Sequence, residues 1–175
     1  MKLIAKTTQI LAAVLFIALV PEASTAGNVF GTLGIGWGTS PMWDEPSQGG
    51  FAVSGTVTYR MRGPSVSARY VGVAALTPLF VTYEEAISEI AVLGGWDFVL
   101  PASTSVACRV GIGRMSYHGG YAHALSWDYE GNAWGPALQI DAFWSRVGLT
   151  CMAHTGDASF RAVMICIKLG KLNAN

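Results

Sequence analysis

From residue 28 onward, apolar residues alternate with polar or small ones over short segments divided by polar turns. A period of two puts successive side chains on opposite faces of an extended strand. Eight strands are predicted on this basis. Strand one, about 28–38, sets Val29, Leu33, Ile35 and Trp37 against Thr32, Gly34 and Gly36. Strand two, about 50–61, sets Phe51, Val53, Val57 and Tyr59 against Ser54, Thr56, Thr58 and Arg60. Strand three, about 64–75, sets Val66, Ala68 and Tyr70 against Ser65, Ser67 and Arg69. Strand four, about 84–96, sets Ile90, Val92 and Trp96 against Glu85 and Glu89. Strand five, about 104–115, sets Val106, Cys108, Val110 and Ile112 against Ser105, Arg109, Gly111 and Gly113.

Strand six, about 134–144, sets Leu138, Ile140 and Trp144 against Gln139 and Asp141, and strand seven, about 146–154, sets Val147, Leu149 and Cys151 against Gly148, Thr150 and His154. Strand eight, about 158–169, is apolar on both parities: Phe160, Ala162, Met164 and Cys166 on one, Val163, Ile165 and Ile167 on the other. There Arg161 is the polar marker and assigns its own parity to the interior. Gly63-Pro64 makes a tight turn, and the junction at 144–146 is short. The segments 39–49, 76–83 and 116–133 form longer loops, and 97–103 forms a long turn at the opposite end.

The segment before the strands reads as a secretory leader, residues 1–26. Lys2 and Lys6 give a positive start, Ile10 to Val20 an apolar run, Pro21 a break, and Ser24-Thr25-Ala26 a small-residue cleavage site. The mature domain is then 27–175. The whole chain carries eleven basic and eleven acidic residues, so removing Lys2, Lys6 and Glu22 leaves nine against ten. A net charge of −1 offers no field for nucleic acid. Mean hydropathy is +0.40, yet no mature stretch has about twenty uninterrupted apolar residues, as a helical span requires. High hydropathy without such a span suits strands whose apolar parity faces lipid. A sheet in hydrocarbon must close on itself, since open edges leave backbone groups unpaired at several kcal/mol each. The expected fold is an all-β, eight-stranded antiparallel up-and-down transmembrane barrel.

On these features the chain resembles the small outer-membrane barrels of the OmpA/OmpX type. The resemblance covers residues 28–169. It rests on the leader, the eight-strand alternation, the run Glu85-Ala86-Ile87-Ser88-Glu89-Ile90-Ala91-Val92-Leu93-Gly94-Gly95, and Gly135-Pro136-Ala137-Leu138-Gln139 opening strand six. It implies a monomer in the outer membrane of a Gram-negative bacterium, with outer-membrane lipid and the barrel insertion machinery as partners. It names no surface partner.

Arg60, Arg69, Glu89, Arg109, Asp141 and Arg161 point inward on this parity. A lumen of eight strands is filled by its own side chains, so these charges are expected to pair as a polar plug, with Arg109 bridging Glu89 and Asp141. Tyr59, Tyr70, Trp37, Trp96 and Trp144 suit the interfacial girdles. Cys108, Cys151 and Cys166 are read as outward wall residues; Cys151 falls opposite about Arg161 or Ala162, which forbids a bridge to Cys166.

Candidate chemistry concentrates in the segment 116–133. His118 and His123, with Asp128 and Glu130, match no zinc-site spacing, so no metal or other cofactor is expected. Ser116 with His118, or Ser126 with His123, oriented by Asp128 or Glu130, supply the residue types of an ester hydrolase. His154, Asp157 and Ser159 repeat those types in a tight turn. The preferred function is therefore a non-enzymatic barrel serving envelope structure or surface contact. A lipid A-modifying barrel enzyme would instead need serine, histidine and acid together at the outer rim. A soluble lipocalin-like carrier would need the polarity reversed, with arginines outside.

Overall fold

The computed structural model describes residues 28–40, 49–61, 63–75, 83–121 and 129–170. The proposed leader, including its cleavage site after Ala26, lies outside the described residues. Eight strands run β1 (Asn28–Thr39), β2 (Gly49–Arg60), β3 (Pro64–Ala75), β4 (Tyr83–Leu100), β5 (Thr104–Tyr121), β6 (Tyr129–Trp144), β7 (Val147–His154) and β8 (Phe160–Leu169). Each pairs antiparallel with the next, and β1 pairs with β8, so the sheet closes in sequence order. Closure removes every edge, as a strand-built membrane protein requires.

The central strands are longer than the sequence alternation indicates. β4 continues through Asp97 to Leu100, and Leu100 pairs with Thr104. The expected long turn at 97–103 is therefore a three-residue turn, with Ala102 and Ser103 at positive φ of 60° and 58°. The expected loop at 116–133 is mostly strand, because β5 runs to Tyr121 and β6 starts at Tyr129. Residues 122–128 lie outside the described residues. One end of the barrel thus carries the tight turns at 61–63, 101–103 and 145–146. The other carries the longer connections, with β7 and β8 joined there by the short segment 155–159.

The buried charges all face the lumen, and the central band of the wall is apolar. In register across β4, β5 and β6, the outward rows are Val92–Ile112–Pro136, Gly94–Val110–Leu138, Trp96–Cys108–Ile140 and Phe98–Val106–Ala142, all apolar. The inward positions between them hold Leu93, Asp97, Ala107, Arg109, Ala137, Gln139 and Asp141, all buried. Arg69 and Arg109 are each 1% exposed, while Ile112 on the opposite face is 57% exposed. That arrangement excludes the lipocalin-like reading, which needs arginines outside and an apolar cavity inside. The outward band has the height of a bilayer core. Trp134 and Trp144 are exposed on the same face of β6, ten residues apart, or about 33 Å along the strand. At a tilt of 35–45° this rises about 25 Å. Trp37 and Trp134 sit toward the loop end and Tyr59, Trp96 and Trp144 toward the turn end, forming two aromatic girdles. Tyr70 differs: it is half-buried midway along β3, opposite Gly55 and Ile90.

β8 has the reverse of its expected parity. Phe160, Ala162, Met164, Cys166 and Lys168 are buried, and Arg161, Val163, Ile165 and Ile167 are exposed. Cys166 is therefore a lumen residue, while Cys108 and Cys151 face outward as expected. Cys151 pairs with Val163 and Cys166 with Gly148, so no bridge joins them. The inversion follows from the lumen's own composition. Its loop half is filled by an apolar cluster that includes Ala52, Val73, Ile87, Met115, Phe160 and Met164. The side of β8 that meets this cluster must itself be apolar.

Candidate functional site

Charges inherited by the inward parity need counter-charges and hydrogen-bond partners inside the lumen, which arranges them in two networks. The first joins β3, β4 and β7. Arg69 donates from Nε (3.0 Å) and Nη2 (2.5 Å) to Oε2 of Glu89, and from Nη1 to the carbonyl oxygen of Leu138 (2.8 Å). His154 Nδ1 lies 2.8 Å from Oε1 of the same carboxylate and donates to it. All three side chains are fully buried. Glycine makes room for the group: a Cβ on Gly113 would lie 2.5 Å from Glu89 Oε1.

The second network lies nearer the turn end. Arg109 bridges Asp97 Oδ1 (2.5 Å) and Asp141 Oδ2, and its Nε donates to Ser65 Oγ (3.1 Å). Gln139 and Thr150 donate to the remaining oxygen of Asp141 at 3.0 Å and 2.8 Å. Lys168 contributes a further cation, donating to Ser105 Oγ (3.1 Å) with its ammonium 4.4 Å from the Phe143 ring centre. Two carboxylates thus face one guanidinium and one ammonium.

The expected bridge from Arg109 to Glu89 does not form. Register sets Glu89 opposite Met115, six residues along β5 from Arg109, whereas Asp97 and Asp141 both pair with Ala107, two residues away. Arg161 is absent from both networks: it is exposed on the outer wall between Thr39 and Ala153. Arg60 keeps the inward parity and is half-buried at the turn end. Asp97 and Lys168 are the network members that the alternation missed. Lys168 shares the parity of Phe160 through Cys166, and a charge inside the hydrocarbon band has to face the lumen.

Together the networks and the apolar cluster occupy the lumen. Arg69, Arg109, Phe160, Leu93, Met115, Met164 and Gln139 are among the largest fully buried side chains. Among the described residues, these side chains tie the strands together across the lumen and pack its interior.

Candidate hydrolytic residues are distributed differently. His123, Ser126 and Asp128 lie outside the described residues. Ser116 and His118 share the outward face of β5, and Glu130 pairs with His118 across β6. Ser116 Oγ donates to Asn132 Oδ1 (2.6 Å), which also accepts from Arg114 Nη2 (3.3 Å). The serine hydroxyl is thus committed to an amide rather than to an imidazole. His154, Asp157 and Ser159 do not assemble: His154 is buried against Glu89 while Asp157 is exposed in the β7–β8 connection. Among the described residues, no group of three or more potential metal-ligating side chains converges.

No protein-family model and no curated protein sequence matches the chain. Solved structures do. Neisserial surface protein A (NspA) superimposes with a TM-score of 0.56 at 12% identity, covering 86% of this chain and 100% of that one. Ail, the attachment invasion locus protein of Yersinia pestis, gives 0.50 at 9% identity, covering 82% and 97%. Ail in complex with the heparin analogue sucrose octasulfate gives 0.54 at 9% identity, covering 83% and 100%. What the chain shares with these proteins is the fold, the closed eight-stranded barrel of outer-membrane proteins.

Proposed function

We propose that this chain is an integral outer-membrane barrel that acts without catalysis, as a sealed element of the envelope whose contacts are made at its loop-end rim. The observation that carries this reading is the polarity inversion: buried Arg69 and Arg109 inside, and an apolar band about 25 Å tall outside between two aromatic girdles. Such a surface is stable only against hydrocarbon; in water it would be a contiguous apolar patch far beyond what a soluble monomer exposes. The filled lumen supports a structural or contact role over transport. A leader ending at Ala26, delivery by the barrel insertion machinery and a monomeric state complete the proposal.

Fractionation with heat-modifiability tests it. The chain is expected in the outer-membrane fraction, migrating faster unheated than boiled, and adding no conductance to a planar bilayer. Recovery as a freely soluble protein, or stable channel steps, would overturn the reading.

The shared outward face of Ser116, His118 and Glu130 favours a second reading, hydrolysis of an outer-leaflet lipid ester. It ranks below the first because Ser116 donates to Asn132. Fatty-acid release from lipid vesicles, abolished by Ser116→Ala, would establish it.

A further inference from the structure

The outward face of β4–β6 changes character at one row. Below it, every row from Val92–Ile112–Pro136 to Phe98–Val106–Ala142 is apolar. The row itself is Ile90–Arg114–Trp134, and the next is Ser88–Ser116–Asn132. Trp134 is 64% exposed and Arg114 is exposed beside it. An indole and a guanidinium side by side at the end of an apolar band occupy the depth of lipid headgroups.

The polar groups at that depth are organised around one atom. Asn132 Oδ1 accepts from Arg114 Nη2 (3.3 Å) and from Ser116 Oγ (2.6 Å). With its oxygen so engaged, the Asn132 amide turns its NH₂ donors away from both partners. The guanidinium, steered by Asn132, keeps its other N–H groups available. The cluster therefore presents a surplus of donors and one fixed positive charge toward the headgroup layer, with Ser88 half-buried alongside. Glu130 and His118 form the next row outward, one strand repeat of about 6–7 Å beyond Asn132 and further from the apolar band. A tetrahedral anion with several acceptor oxygens is the ligand that such a donor fan suits, and arginine is the side chain best shaped to hold one.

We infer that Arg114, Asn132 and Ser116 form a docking site for the phosphate group of an outer-leaflet lipid. The inference rests on the outer-membrane reading above. Arg161 provides the internal contrast. It too is exposed toward the loop end, two residues beyond Val163, which pairs with Trp37. Its register neighbours are Thr39 and Ala153, neither of which carries an amide side chain.

The test uses the full chain folded in nanodiscs of zwitterionic phosphatidylcholine, with bisphosphorylated lipid A added as the probe and retained lipid counted by native mass spectrometry. Wild type is expected to retain the phosphorylated lipid. Arg114→Gln should weaken retention about tenfold and Asn132→Ala several-fold, while Arg161→Gln stays within about twofold of wild type. Dephosphorylated lipid A should not be retained, and millimolar inorganic phosphate should not displace the bound lipid. Equal losses in Arg114→Gln and Arg161→Gln would reduce the site to general rim charge and overturn it. So would retention of dephosphorylated lipid, or displacement by free phosphate, which would mark a soluble-anion site. Each variant's gel-mobility shift reports folding separately. A wild-type chain without that shift overturns the outer-membrane reading, and the docking site falls with it.

Discussion

Glu89 is the side chain whose loss should hurt the barrel most. Its carboxylate accepts three hydrogen bonds, two from Arg69 and one from His154, in a site with no exposed side-chain surface. Hydrogen bonds to charged groups contribute about 1.5–3 kcal/mol each, so roughly 4–9 kcal/mol of gross interaction passes through this one group. Glu89→Gln keeps the shape and one acceptor oxygen but leaves the Arg69 guanidinium without a counter-charge. The expected net loss is about 3–5 kcal/mol, the usual cost of breaking a buried pair from one side. The double variant Arg69→Met/Glu89→Leu removes both charges but deprives His154 Nδ1 of its acceptor, and should lie about 1–3 kcal/mol below wild type, above the single variant. Urea unfolding from detergent micelles, followed by tryptophan fluorescence, measures both. A Glu89→Gln variant within about 1 kcal/mol of wild type would refute the reasoning, as would a double variant no better than the single one.

Three further outcomes follow from local geometry. Gly113→Val places carbon where Glu89 Oε1 sits 2.5 Å from a bare Cβ, so it should destabilise by an amount comparable to Glu89→Gln and add little on top of it in the same urea assay. Ser145 has φ of 57° at the first position of the two-residue β6–β7 turn, where glycine is preferred, so Ser145→Gly should raise unfolding stability by about 1 kcal/mol. In intact proteoliposomes, a lipid-soluble maleimide should modify the outward Cys108 and Cys151 before the buried Cys166; preferential labelling of Cys166 would restore the opposite parity for β8.

How much of this was legible in the chain depended on whether the two parities differed in polarity. Wherever a strand carried Thr, Ser or Arg on one parity and aliphatics on the other, as β2, β3 and β5 do, the outer face could be assigned from alternation alone. β8 defeated that reasoning because the lumen beside it is apolar, leaving Met164 and Ile165 equally greasy by pattern though one is buried and the other exposed. Arg161 misled because it lies beyond the hydrocarbon band, where an outward charge costs little; Lys168, buried on the inward parity at the turn end of β8, was the reliable marker. Asp97 escaped because the alternation ended strand four at Trp96, whereas the strand pairs on to Leu100 and the chain reverses through Ala102 and Ser103 at positive φ. At the rim, His118 and Ser116 were identifiable as chemistry-bearing residues, but the Asn132 contact that unites Ser116 with Arg114 depends on cross-strand register, which residue types alone do not specify.

Nitroxide scanning of β5 in bilayers tests the central claim most directly. Labels at 106, 108, 110 and 112 should be accessible to lipid-dissolved oxygen, and those at 105 and 107 should be protected from oxygen and from aqueous relaxants alike. Uniform accessibility along the strand, or oxygen contact at the positions that share the parity of Arg109, would contradict a lipid-facing apolar wall around a sealed, charge-bearing lumen.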